Sequence, residues 1–283
     1  MKEEDLRKAG QEVRLIVCDL DGTLLNSEKL ISPENINAIN MAREKGIFVT
    51  ICSGRIHTML EAYSRILSVE GPLISGNGAF ITDTRTGEIL YSNFVDPQAA
   101  YPLLMFCKEH GLDHLLINTE ACWYTEGSHR ITRFEQYNQI AGKDNLSPIP
   151  LCLYGPNYQK ALSGEIHKML IAGLSPGEMD MTTEYIRTLK NLSCTSSEIG
   201  LLDVAAPGVD KGTGVAALGR ILGLEKQQIC VFGDYLNDIP MFEQAGFPIA
   251  MGNAAEAVKH KALAITGSND EDGIAKAIKK YIL

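Results

Sequence analysis

The feature that most constrains this chain is a short apolar run that breaks into an acid- and glycine-bearing loop and then into helix, recurring near both ends. Arg14 to Cys18 reads RLIVC and stops in Asp19-Leu20-Asp21-Gly22-Thr23. A run of this length, rich in β-branched residues and closed by turn formers, predicts a strand buried on both faces, as in a parallel sheet. Ser32-Pro33-Glu34 then carries the signature of a helix start, and Gly46 closes that helix. IFVTIC follows as a second strand ending in Ser53-Gly54-Arg55. A helix bearing Met59, Ala62, Ile66 and Leu67 leads to a third strand, PLIS, ending at Gly76-Asn77-Gly78. Such alternation predicts a βαβαβ unit with its loops gathered at the strand C-termini.

After Gly78 the texture changes. AFITD and EILYSNF flank Thr84-Arg85-Thr86-Gly87, the pattern of a hairpin rather than a crossover. Helices are expected from Asp96 to His110, Arg130 to Ile140 and Pro176 to Lys190, among short strands at DHLLIN, CWYTE and KMLIAG. From Gly200 the first texture returns: strand GLLDVAA, a helix after Lys211, strand ICVFG, a helix to Ala245, strands PIAMG and LAIT, and a final amphipathic helix. With 283 residues the chain has length for about two domains. The expected organisation is α/β: a parallel-sheet core from residues 1–83 and 197–283, interrupted by an α+β insertion from 84–196.

The balance of 26 Lys and Arg against 35 Asp and Glu, a formal charge of −9, argues against nucleic acid and anionic membrane as partners. Any anionic substrate must be met by a few placed cations. The charged start MKEEDLRKAGQEV predicts neither a secretory signal nor an anchor, and no apolar run reaches the ~18 residues of a membrane span. Seven cysteines, an odd count without a CxxC pair, predict reduced, buried thiols and a cytoplasmic location.

Asp19 and Asp21 lie two apart on extended chain, so both carboxylates point to one side. Alone, the pair reads equally as a turn after a strand. ICVFGDYLND repeats the device, with Asp234, Asn237 and Asp238 opening a helix, where capping needs only one acid. Acids in two strand-end loops of one parallel sheet resemble a hard-cation site with oxygen ligands, of the kind that suits magnesium. Ser53-Gly54 after the second strand and Lys211 before a helix offer a hydroxyl, backbone N–H groups and an ammonium, the donors a phosphate needs. An isolated lysine in a glycine-rich loop also reads as solvated surface. Gly212-Thr213-Gly214 does not follow its strand directly, which excludes the dinucleotide fingerprint.

Taken together and in order, CDLDGTLLNSE, TICSGR, PGVDKG and GDYLNDIPMF resemble the four motifs of the haloacid dehalogenase (HAD) superfamily, specifically its Cof-type phosphatases. The resemblance covers both outer thirds of the chain, and SGNGAFI resembles the family's entry to its cap. It implies a Rossmann-like core with an inserted α+β cap, and magnesium-dependent hydrolysis of a small-molecule phosphate ester. Asp19 is then implied as the nucleophile that forms an aspartyl-phosphate, and Asp21 as general acid for the leaving alcohol and base for water. Ser53, with Gly54 beside it, and Lys211 are implied to hold the phosphoryl oxygens, with Asn237 nearby. Asp19, the backbone carbonyl of Asp21 and Asp234 are implied as magnesium ligands, with Asp238 among or next to them.

An acid must carry a proton, so the pKa of Asp21 is expected above that of Asp19. Sugar phosphates, pyridoxal phosphate and FMN are the substrate classes the resemblance implies. Tyr124, His129, Arg130, Arg133 and Arg187 are candidates for leaving-group contacts. A sugar phosphomutase using the same site, and a catalytically inactive protein that binds a phosphorylated metabolite, remain alternatives.

Overall fold

The computed structural model describes residues 3–155 and 158–283. These form two compact units, one built from residues up to His57 with Tyr63–Tyr91 and Asp210–Leu283, the other from Thr58–Ala62 and Ser92–Val209. Among the described residues, no helix is long and apolar enough to cross a membrane. The seven cysteines are free thiols, five of them buried.

Along the chain the strands of the first unit are β1 (Leu15–Cys18), β2 (Phe48–Ile51), β3 (Pro72–Ser75), β4 (Phe80–Asp83) and β5 (Ile89–Ser92). The second unit supplies β6 (Asp113–Asn118), β7 (Cys122–Tyr124), β8 (Leu151–Leu153), β9 (Ile166–Ala172), β10 (Ser193–Glu198) and β11 (Leu201–Ala205). The first unit then closes with β12 (Ile229–Gly233), β13 (Phe247–Ala250) and β14 (Ala264–Ile265).

The main sheet of the first unit has the order β14-β13-β12-β1-β2, parallel throughout. β1 is central, and Leu15, Ile16 and Val17 are fully buried, as an apolar strand covered on both faces must be. Because Cys18 lies opposite Phe232 in the β1–β12 register, the loops bearing Asp19 and Asp234 leave the sheet side by side. The flanking helices start where expected. Ser32 Oγ accepts from the N–H of Asn35 at 3.1 Å, with Pro33 in the first turn of Pro33–Glu44. Asp210 caps Lys211–Leu222 by accepting from the N–H of Thr213 at 2.7 Å, and Gly223 ends that helix in the left-handed region.

The second unit is a six-stranded sheet, β10-β11-β9-β6-β7-β8, antiparallel except between β7 and β8. One face packs Leu116, Met169, Ile171, Leu202 and Val204 with Leu103, Leu104 and Cys107 of the helix Pro97–Glu109 and Ile186 of Pro176–Thr188. Lys168 and Asp203 form a buried ion pair between β9 and β11, and Ser197 donates to Asp203.

Two segments sit differently from expectation. Leu201–Ala205, read as a strand of the α/β core, pairs antiparallel with β9 and β10 in the second unit. Every residue of it is buried, Asp203 included, and a buried, largely apolar run reports burial on two faces, not strand direction. β5, which falls inside the expected insertion, instead lies beside β4 in the order β3-β4-β5, with the chain up to Tyr91 in the first unit and β4 paired antiparallel with β3. An unexpected helix, Glu3–Gln11, precedes β1, with acids in its first turn and Lys8 in its last.

The turn Gly76–Gly78 between β3 and β4 abuts the start of Lys211–Leu222. Gly78 has φ +95°, and a Cβ there would lie 2.0 Å from the carbonyl oxygen of Asp210. Gly78→Ala combines backbone strain with a steric clash and is expected to cost about 2–4 kcal/mol, read as a lowered urea midpoint with an unchanged m-value.

Candidate active site

Asp19 follows β1 directly, its backbone N–H bonded to the Phe232 carbonyl at 2.9 Å, and it is 5 % exposed. Lys211, 2 % exposed, sits at the first turn of its helix and donates to both Asp19 Oδ1 and Asp238 Oδ1. The solvated-surface alternative for this lysine is thereby excluded. Asp238 is fully buried, and its Oδ2 accepts from the N–H groups of Asp234 at 2.8 Å and Tyr235 at 3.0 Å. Asp234 in turn accepts from Thr23 Oγ1 at 2.6 Å. Two glycines permit this closeness: Gly22 has φ +84°, and a Cβ on it would lie 2.5 Å from Asp234 Oδ2, while a Cβ on Gly54 would lie 2.9 Å from Asn77 Oδ1.

Asp19, Asp234 and Asp238 each offer a carboxylate oxygen within 4.8 Å of the others. Desolvation, followed by repulsion from Asp238, pushes Asp234 up to about 6. Desolvation also raises Asp19 well above the usual carboxylate range, with Asp238 and Asp234 adding to it against the opposing charge of Lys211. Burial alone would lower the pKa of Lys211, but Asp19 and Asp238 outweigh it and hold the ammonium charged. If all three carboxyls ionise they outnumber the one ammonium in a desolvated pocket, and a cation there would relieve the repulsion that raises Asp19 and Asp234. Such a trio is the donor set of a hard divalent cation, and the residues present fit magnesium.

Asp21 is turned differently. Its carboxylate is held in a fork by Arg55, Nε to Oδ2 and Nη2 to Oδ1 both at 2.8 Å, and Lys29 donates to Oδ1 at 3.1 Å. Burial would raise its pKa, but the hydrogen bonds and charge of Arg55, then Lys29, bring it below the usual range. The expected order is therefore reversed in this arrangement: Asp21 is the more acidic carboxyl and Asp19 the less. The reason is geometric, since Asp21 alone has a bidentate guanidinium.

Ser53 is buried and its Oγ accepts from the N–H of Arg55 at 3.2 Å. Asn237 Nδ2 donates to Asn77 Oδ1 at 3.2 Å. Ser53, Gly54, Lys211 and Asn237 thus border the same group of loops as the acids. Thr23, Lys29, Arg55 and Asn77 contact these residues and were not assigned from the sequence. Three of these lie inside quoted motifs, and Arg55 was visible as the guanidinium of TICSGR. In the second unit, Arg130 and Arg133 both pair with Glu198.

Residues 16–278 match the family model of haloacid dehalogenase-like hydrolases. The chain belongs to that family and is a hydrolase. It is 31% identical over 281 residues to a 5-amino-6-(5-phospho-D-ribitylamino)uracil phosphatase of Bacillus subtilis (strain 168), covering 96% of this chain and 97% of that one. A pyridoxal phosphate phosphatase of Escherichia coli (strain K12) is 27% identical over 270 residues, covering 95% and 99%. Among solved structures, a haloacid dehalogenase-like hydrolase from Bacteroides thetaiotaomicron superposes with a TM-score of 0.80 at 27% identity, covering 95% of this chain and 99% of that one.

The raised pKa of Asp234 has a sign that can be tested. Its folded state binds more protons than the unfolded chain between about pH 4 and pH 6. Stability from this group is therefore present below about pH 4 and lost as pH rises through 6. In metal-free buffer the wild type is expected to lose up to about 3 kcal/mol across that window relative to Asp234→Asn, measured by urea titration of both proteins. Added magnesium should reverse the trend in the wild type.

Proposed function

We propose that the chain is a magnesium-dependent phosphomonoester hydrolase acting on small phosphorylated metabolites such as sugar phosphates, pyridoxal phosphate or FMN. The observation that carries this reading is a buried Asp19 at the end of the central strand, bonded to a buried Lys211, with Asp234 and Asp238 beside it. The small-metabolite class is supported by relatives named for a ribitylaminouracil phosphate and for pyridoxal phosphate. Asp19, Asp234 and the backbone carbonyl of Asp21 would hold the ion, with Asp238 bordering it, because both Asp238 oxygens already engage Lys211 and two backbone N–H groups. When bound, magnesium supplies charge neutralisation for the phosphoryl oxygens as a Lewis acid.

The chain's own groups then divide the work. An Asp19 oxygen bonds to phosphorus while the ester P–O bond breaks, giving an aspartyl-phosphate. Lys211, Ser53 and Asn237 hold the phosphoryl oxygens in place, since phosphoryl transfer is mostly positioning and charge stabilisation. Asp21 gives a proton to the departing alcohol and takes one from the water that frees Asp19. Arg55 and Lys29 favour the ionised form of Asp21, so Asp21 takes up the proton it donates only as these contacts weaken.

A phosphate-release screen over sugar phosphates, pyridoxal phosphate and FMN, with and without EDTA, tests the reading. Turnover is expected on at least one class and is expected to vanish with EDTA. Asp19→Asn should fall below about a hundredth of the wild-type rate with an unchanged circular dichroism spectrum. Retention of more than that fraction would remove Asp19 as the nucleophile.

A further inference from the structure

Asn77 stands in the turn between β3 and β4, 4 % exposed and in the left-handed region at φ 55°, ψ 38°. Asn enters this region more readily than most side chains, and here the conformation places its amide among specific neighbours. The Asn77 N–H donates to the Ser53 carbonyl at 2.9 Å, and the Gly76 N–H donates to the Arg55 carbonyl at 2.8 Å. The turn therefore grips the Ser53–Arg55 loop by its backbone. The Asn77 side-chain amide lies so close to Gly54 that a Cβ there would meet both its Oδ1, at 2.9 Å, and its Nδ2, at 3.1 Å. The same Oδ1 accepts from Asn237 Nδ2 at 3.2 Å. One residue further, Gly78 abuts the Asp210 carbonyl just before Lys211.

We propose that Asn77 is a positioning residue of the phosphate site, setting the spacing between the Ser53–Gly54 loop and Asn237. This rests on the reading of the site as a phosphomonoester hydrolase. Asn77 touches two of the loops assigned to the phosphoryl oxygens and belongs to the turn that packs against the third. Its amide acts through Asn237 and Gly54, and its left-handed backbone delivers that amide between them. The residue is thus required for geometry that neither loop maintains alone.

Asn77→Gly removes the amide while a glycine accepts the positive φ without strain, which separates positioning from folding. The inorganic phosphate dissociation constant, by calorimetry in magnesium buffer, and KM on the best ester are each expected to rise about tenfold. The melting temperature should stay within a few degrees of wild type. In an Asn237→Ala background the further effect of Asn77→Gly should shrink to less than about half of that factor, because the two residues act as a unit. Unchanged phosphate affinity and KM in Asn77→Gly overturn the proposal, as does a lowered melting temperature with unchanged kcat/KM, or full multiplication of the two effects in the double variant. A wild type that neither binds phosphate nor hydrolyses esters overturns the functional reading, and this proposal with it. An active wild type with an indistinguishable Asn77→Gly overturns this proposal alone.

Discussion

The ammonium of Lys211, lodged between Asp19 and Asp238, is the interaction on which the rest of the site depends. Removing one partner of a buried ion pair costs roughly 3–5 kcal/mol, because the remaining charge is left without solvent or counter-charge. Here one cation serves two acids. Asp238 passes the constraint on by gathering the N–H groups of Asp234 and Tyr235 with its second oxygen. The position of the Asp234 loop is thus set from a helix that begins 23 residues earlier, through a single ammonium. The parallel register of β1 and β12 brings these loops together, and the lysine keeps them there.

The two aspartates of the first loop illustrate how local partners decide protonation. Asp19 and Asp21 share a turn and nearly the same sequence context, yet burial among like charges raises one and a guanidinium fork lowers the other. A carboxylate pair so divided is a common basis for assigning separate chemical roles. In this arrangement the division runs opposite to the one that an acid at Asp21 calls for. The contacts of Arg55 and Lys29 thus favour the ionised form of Asp21 for as long as they persist.

Much of the fold was legible in the sequence, since short β-branched runs closed by acid and glycine loops mark the strands of the parallel sheet and also the ends where chemistry sits. The placement of Asp19, Asp234 and Asp238 followed from those strand ends. Lys211 was harder to place, because a lysine amid glycines looks solvated until the helix it starts is seen to be packed inward. β11 was expected as a strand but assigned to the core, because a buried, largely apolar run reads the same whether its neighbours are parallel or antiparallel. Arg55 was visible as a charge but not as the partner of Asp21, a contact across 34 residues that only the folded loops create.

The glycines around the site carry a consequence of their own. Gly22 yields space to Asp234, Gly54 to Asn77, and Gly78 to Asp210. Each pair joins loops far apart in the chain by denying one of them a methyl group. Substituting any one loop therefore demands compensation in another. A graft of one of these loops into a different scaffold would carry its glycine but not the neighbour that fills the space the glycine leaves.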